Sequence, residues 1–392
     1  MAELSIAGTF AGPTGKFNGI ISFENGIITW VKESDMPGDA DFIFPKDMLV
    51  FPGFVDPHVH LRWGQEYKED FITGCQAAAN GGVTYVLDMP NNPEAVTTRE
   101  ILERKARAAG QCSVGIGLYA IIGPGTKPIP GHTLYKAFMG HSVGNVFFEE
   151  LETLDSTLAA YSGMRVAFHA EDPEIIRKDP ARPPEAEIKA IGNAIELVRK
   201  HNLKGHICHL STKKGLELVL DAQQQGLKIT CEVTPHHLFF SKESNNNPLV
   251  KMNPPLRSEA DRKFLLKQFR AGYIDMIGSD HAPHTELEKK ESNPSGVPLL
   301  DTYGLVVAWL IKEHQVTPEV IAKCCSAHPA QFAGIELGNL AEGELANFTV
   351  LNFRPKTVTK HLLKTKCGWS PFEGMTFPGS VEATFVKGKR LR

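Results

Sequence analysis

The sequence contains no apolar run approaching the about 18 uninterrupted residues that a membrane-spanning helix needs, so no membrane association is expected. Neither sign of charge is in excess. The 42 Lys+Arg against 45 Asp+Glu leave a formal charge of −3, without the basic surplus of a dedicated nucleic-acid binder. The stretch from Met1 to Gly15 lacks a basic region and an apolar core, so it does not read as a secretory signal. Cysteine is sparse: seven residues, odd in number and with no CxxC pair, are expected to be reduced thiols in a cytoplasmic protein. Internal repeats, low-complexity runs and long linkers are also absent. With 42% hydrophobic and 22% charged residues the composition is that of a globular protein, which excludes a disordered tail, a collagen and a coiled coil. Against this plain background the 15 histidines stand out, and their positions carry the functional reading.

Both ends of the chain are rich in short apolar runs separated by polar turns. Examples are residues 19–23 and 26–31 near the start, and 348–351 and 381–386 near the end. Neither end can form a core alone, so residues 1–50 and 344–392 are expected to pair into one small antiparallel β-sandwich. The middle, residues 51–343, alternates. Strand-length apolar runs fall near 53–59, 83–88, 113–120, 133–138, 164–168, 205–209, 227–233 and 274–278, mostly separated by helical patterns. A capping box at Thr97-Thr98-Arg99-Glu100 opens a helix through Ala109, another helix starts at Ser258, and a long amphipathic one covers Pro184 to His201. Eight strands alternating with helices in roughly 290 residues predict an α/β fold, a (β/α)8 TIM-like barrel. A doubly wound open sheet is the alternative, weakened because no GxGxxG follows the first strand.

In such a barrel the chemistry lies at the C-terminal ends of the strands. Strand one ends Asp56-Pro57-His58-Val59-His60-Leu61-Arg62. Strand side chains alternate, so His58 and His60 face the same way and form a compact two-nitrogen clamp. Strand five ends in His169-Ala170-Glu171, strand six in His206-Ile207-Cys208-His209, and strand eight in Ser279-Asp280-His281-Ala282-Pro283-His284. Four imidazoles and a carboxylate converging on one mouth are ligands suited to Zn2+ and similar ions. His209 is the better candidate on strand six, because His206 lies deeper. Strand four, Thr133-Leu134-Tyr135-Lys136-Ala137-Phe138-Met139, places a lysine among apolar neighbours. Burial disfavours its charge and leaves a nucleophilic amine that can take up CO2 as a carbamate, a bidentate anion able to bridge two metals. A lysine snorkelling to solvent is the competing reading.

These elements together resemble the amidohydrolase superfamily acting on cyclic amides. Within it, His60-Leu61-Arg62, Met89-Pro90-Asn91, Lys251-Met252-Asn253-Pro254-Pro255-Leu256-Arg257 and Asp280-His281-Ala282-Pro283-His284-Thr285 are similar to dihydroorotases. The resemblance covers essentially the whole chain. It implies two Zn2+ per chain: one held by His58, His60 and Asp280, the other by His169 and His209, with carboxylated Lys136 bridging both. It implies that Arg62, Asn91 and His284 hold the substrate carboxylate and ring, with Asn253 at the ring's other edge. The implied reaction is reversible hydrolysis of dihydroorotate to N-carbamoyl-L-aspartate in pyrimidine biosynthesis. A metal-bridging hydroxide attacks, and Asp280 is the catalytic proton shuttle. The implied partners are the small-molecule substrate, a second copy of the chain and aspartate transcarbamoylase.

Departures from the family pattern bear on the details. The turn Arg62-Trp63-Gly64 is one residue shorter than the usual Arg-Glu-Pro-Gly, and Pro298-Leu299-Leu300-Asp301 stands where relatives have Pro-Gly-Leu-Glu. The loop 140–145 holds two glycines and could cover the cleft, with His141 solvated. Glu171 is placed to orient a ligand, and His236 and His237 are expected to pack at the end of strand seven rather than bind metal. Two other readings use the same residues. A hydantoinase- or allantoinase-like enzyme would share the metal cage but have no use for Arg62 and Asn91. A non-catalytic partner of aspartate transcarbamoylase would have lost ligands, and this chain retains the full set.

Overall fold

The computed structural model describes residues 3–34, 38–142 and 144–392. Eight parallel strand positions form the barrel: Phe54–Val59, Val83–Asp88, Gly115–Leu118 continued by Ala120–Ile122, Leu134–Phe138, Arg165–His169, Lys204–Ile207, Ile229–Val233 and Met276–Ile277. The ring closes where Val59 bridges His281 in parallel and His60 N–H donates to the His281 carbonyl at 2.8 Å. Asp56 helps there, accepting from Ser279 N at 2.9 Å and His58 N at 3.1 Å, so the first residue of the Asp-x-His-x-His pattern stitches strand one to strand eight. Strand three is broken at Tyr119. Its buried side chain crosses to the Pro57 carbonyl, 3.1 Å from the hydroxyl, and its amide donates to Asp88 O at 3.0 Å.

The surrounding helices bury one stripe each. In Pro184–Lys200, residues Ala190, Ile191, Ala194, Ile195, Leu197 and Val198 face the barrel. Ser258 caps the helix Glu259–Arg270 as its sequence suggests. The helix expected to start at Thr97 begins one residue later. Thr98 is the cap, accepting from Ile101 N, and Glu100 lies in the first turn, where the helix dipole favours its charge. A true capping box forms elsewhere, between Thr285 and Glu288.

The chain ends share one eight-stranded sheet, in the order Lys389–Arg390, Ser380–Val386, Phe348–Asn352, Leu49–Pro52, Leu4–Gly12, Gly15–Glu24, Ile27–Glu33, with Phe42–Ile43 beside Leu4–Gly12. It is mixed rather than purely antiparallel: Leu4–Gly12 runs parallel to both Phe42–Ile43 and Leu49–Pro52. The sheet folds over on itself. Phe23 meets Phe348 at 5.8 Å although two strands separate theirs, and Phe42 meets Phe385 at 5.0 Å. Between its faces Ile6, Phe10, Ile21, Val50, Val350 and Ala383 form a core of their own.

The expectation of seven reduced thiols is corrected for one pair. Cys75, in the helix Phe71–Asn80, and Cys112, just beyond the helix Arg99–Ala109, are bridged, with Cα atoms 5.6 Å apart. Thirty-seven residues separate them in sequence, and only the packing of two adjacent barrel helices brings them together. The other five cysteines are free. Among the described residues no helix is long and apolar enough to cross a membrane.

Candidate functional site

A cleft opens at the C-terminal ends of the barrel strands. Its walls include His58, His60, Arg62, Asn91, Lys136, His169, His209, Asn253 and Asp280, nine of the ten residues singled out in the sequence. The tenth, His284, stands behind Arg62. Its Nε2 is 3.2 Å from Arg62 Nη2 and 3.2 Å from the Ser295 carbonyl, while Nδ1 is 3.3 Å from Lys68 Nζ. Burial, then the charges of Arg62 and Lys68, push the His284 pKa down to about 3, which keeps the ring neutral.

The first strand delivers both its histidines to one carboxylate. His58 Nε2 is 3.3 Å and His60 Nε2 3.2 Å from the same Asp280 oxygen. Burial would raise the Asp280 carboxyl, but His58 and His60 hold it below the ordinary carboxylate range. The second pair meets from strands five and six: His169 Nδ1 faces His209 Nε2 at 2.9 Å. The two pairs adjoin, with the His58 and His209 rings 5.4 Å apart. Lys136 is only 1% exposed, which rules out snorkelling, and its Nζ donates to Cys208 Sγ at 2.7 Å.

The donors fit a divalent cation of the zinc type. Nitrogen and carboxylate atoms of His58, His60 and Asp280 lie within 4.8 Å of one another. Burial pushes His60 down to about 4, and also lowers His169 and His209, so these rings are neutral, the form that binds metal. Three cleft residues hold backbone conformations that cost a side chain strain: Arg62 (φ 57°), His209 (φ 38°) and Asp280 (φ 48°). Each turns its chain sharply out of a strand and aims a side chain inward. The shortened loop thus forms a tight turn, with Gln65 N–H donating to Arg62 O at 2.7 Å.

Several site residues were not legible in the sequence. Glu232, in strand seven, supports three others: its carboxylate pairs with His58 Nδ1, lies 3.0 Å from His206 Nε2 and accepts from His209 N at 3.1 Å. The available signal was a glutamate inside the apolar run Ile229–Val233. Ser295 and Gly296 line the cleft, and Ser295 Oγ donates to Asn253 Oδ1 at 3.1 Å. Gly296 has φ +132°, and a Cβ there would collide with the Ala282 carbonyl, so glycine is required. Leu299, the bulky departure, is buried in the hydrophobic core and is not among the residues lining the cleft. Glu171 meets its expectation, 3.1 Å from His169 Nε2. His236 and His237 are buried in the short helix after strand seven. His141 is exposed and packs edge-on to Phe147, and Ser142 lines the cleft. Val143 of the 140–145 loop lies outside the described residues.

The sequence model of the amidohydrolase family matches residues 49–391. The dihydroorotase of Pyrococcus furiosus is 37% identical over 395 residues, covering 99% of this chain and 92% of the relative. The chain belongs to the amidohydrolase family and, within it, to the dihydroorotases. The dihydroorotases of Thermococcus kodakarensis (36%, covering 99% of this chain and 94% of the relative) and Listeria monocytogenes (32%, 94% and 93%) are similar over comparable spans. Among solved structures, the L-hydantoinase (dihydropyrimidinase) of Arthrobacter aurescens superposes with a TM-score of 0.92 at 24% identity, covering 100% of this chain and 96% of that one. The dihydropyrimidinase of Brevibacillus agri gives 0.88 at 22% identity, covering 100% and 95%. These likenesses establish the barrel fold with its β-rich terminal unit.

Proposed function

We propose that the chain is a metal-dependent dihydroorotase, catalysing reversible hydrolysis of dihydroorotate to N-carbamoyl-L-aspartate. The observation that carries this reading is Arg62: a buried guanidinium lining the cleft two residues after His60. A planar two-pronged cation suits a ring carboxylate, which hydantoin and allantoin lack. In this reading residues 51–343 are the catalytic barrel, and 1–50 with 344–392 are the small β unit.

His58, His60 and Asp280 would hold one zinc ion and His169 and His209 a second. Lys136, carboxylated by CO2, would bridge them. Bound metal supplies Lewis acidity, polarising the ring carbonyl and making water a nucleophile near neutral pH. The protein's own groups do the rest. Arg62 and Asn91 fix the carboxylate and ring, and Asn253, held by Ser295, borders the far edge. Asp280 accepts the proton of the attacking water and delivers it to the departing ring nitrogen. In the reverse direction protonated Asp280 assists ring closure. His284 acts through Arg62 and Ser295. The proposal places the enzyme in the cytoplasm. Its proposed macromolecular partners are a second copy of the chain and aspartate transcarbamoylase, tested by sedimentation of the chain alone and mixed with that enzyme.

The test is metal content, dihydroorotate hydrolysis and dihydrouracil hydrolysis on one purified sample. The expected result is two zinc ions and strong preference for dihydroorotate. Asp280→Asn should keep metal while the rate falls at least ~10²-fold, and Lys136→Ala should lose metal and turnover together. Preference for the uncharged ring would replace dihydroorotase with a hydantoinase-like activity.

A further inference from the structure

The side of the cleft formed by strands four to six is held from behind by one arginine. Arg182 lies in the loop before the helix Pro184–Lys200 and is 9% exposed. Its two terminal nitrogens go to different places: Nη1 pairs with Glu171 Oε2, and Nη2 donates to the His141 carbonyl. The same Glu171 oxygen is 3.1 Å from His169 Nε2. A carboxylate there fixes the tautomer: Nε2–H donates to Glu171, and the Nδ1 lone pair is left facing His209 and the cleft. His141 directly precedes Ser142, which lines the cleft.

Arg182 is itself held in an unusual pose. Its φ is 57°, a conformation that persists only where surroundings impose it. Its carbonyl accepts from Arg257 Nη1 at 2.6 Å, and Arg257 Nε donates to Ser211 Oγ at 3.0 Å, two residues beyond His209. Glu187 completes this frame, accepting from Ser211 N at 3.1 Å and Thr212 N at 2.9 Å. The frame therefore reaches both His169 and the segment carrying His209.

We infer that Arg182 is a positioning residue with two separable duties: one guanidinium arm orients His169 through Glu171, and the other sets the Ser142 wall of the cleft through the His141 carbonyl. This rests on the reading above that His169 and His209 bind one of two zinc ions. A generic buried ion pair would need only the first arm. A lysine is a point charge and can serve Glu171 but not both partners at once.

The experiment uses the zinc-loaded full chain, Arg182→Met and Arg182→Lys, with zinc affinity measured by chelator competition and kcat and KM measured separately on dihydroorotate. In Arg182→Met one of the two zinc equivalents should weaken by ~10–10²-fold, the usual effect of removing a ligand's outer partner, while the other stays at wild-type affinity and kcat falls. Arg182→Lys should recover zinc affinity and kcat but keep a raised KM. Equal weakening of both equivalents, zinc affinity unchanged in Arg182→Met, or full recovery of KM by lysine would each overturn the assignment. A wild type that binds two zinc ions without hydrolysing dihydroorotate would refute the proposed substrate, and the zinc measurements would still decide Arg182's role.

Discussion

The Lys105 ammonium lies 2.6 Å from a carboxylate oxygen of Asp88, and neither side chain is exposed. The pair is tied into the site on both sides. Asp88 accepts the Leu61 amide at 2.7 Å, between His60 and Arg62, and Lys105 donates to the Met89 carbonyl at 2.7 Å, at the start of Met89-Pro90-Asn91. Two candidate substrate contacts therefore depend on one ion pair below the cleft. Removing one partner of such a pair strands a buried charge, which costs about 3–5 kcal/mol. Lys105→Met should lose that much stability in denaturant unfolding and also raise KM for dihydroorotate. Adding Asp88→Asn, which leaves no charge buried there, should recover part of the stability. A Lys105→Met protein as stable as wild type would sink this reading.

Glu232 should matter for metal rather than for substrate. It grips His58 from behind and steadies the His209 backbone without lining the cleft. Glu232→Gln is expected to weaken metal binding by ~10–10²-fold, read by chelator competition, with KM for dihydroorotate little changed once metal is saturating. His206→Asn removes only the carboxylate's other partner and should have a smaller effect. Equal losses from the two variants would mean that Glu232 acts through strand packing instead.

Arg62 tests the substrate. A hydrogen bond to a charged group is worth about 1.5–3 kcal/mol, or ~10–10²-fold in kcat/KM. Arg62→Met should lose at least this for dihydroorotate while metal content stays at the wild-type level. Arg62→Lys should recover only part, because a point charge cannot present two parallel donors. Unchanged kcat/KM in Arg62→Met would remove the observation on which dihydroorotase activity rests.

Buried histidines give the fold a pH dependence, His236 and His284 among them. His236 is pushed down to about 4, chiefly by burial, and His284 to about 3 by burial, Arg62 and Lys68. Unfolded histidine titrates near about 6.5. Both rings are neutral in the fold, so their contribution is fully present above about 6.5. As pH falls from there towards about 4, the unfolded chain takes up protons that the fold excludes, and stability drops by up to about 1.4 kcal/mol per pH unit for each ring. Urea unfolding of chelator-treated protein between these limits should show the slope. His236→Gln and His284→Gln should each flatten it, and a wild-type curve already flat there would contradict the assignment.

The amino-acid sequence alone determined the barrel and most of its mouth, because both follow from local rules. Strand-length apolar runs alternating with capped helices dictate parallel strands, and period-2 alternation alone puts His58 and His60 on one face. Lys136 was visible because a lysine inside an apolar strand violates the usual partition. What the sequence could not supply were relations between distant segments. Glu232 beneath His58, Lys105 against Asp88, the bridge between Cys75 and Cys112, and Arg182 spanning Glu171 and His141 each join residues whose proximity is created by packing. His284 belongs here too: the turn after strand eight brings its Nε2 to 3.2 Å from Arg62 Nη2, a contact between distant segments. The left-handed backbone of Arg62, His209 and Asp280 belongs to this second class as well. Histidine and aspartate tolerate that conformation better than most side chains, but it still carries strain in all three, and the closed barrel and its long-range hydrogen bonds hold them in it.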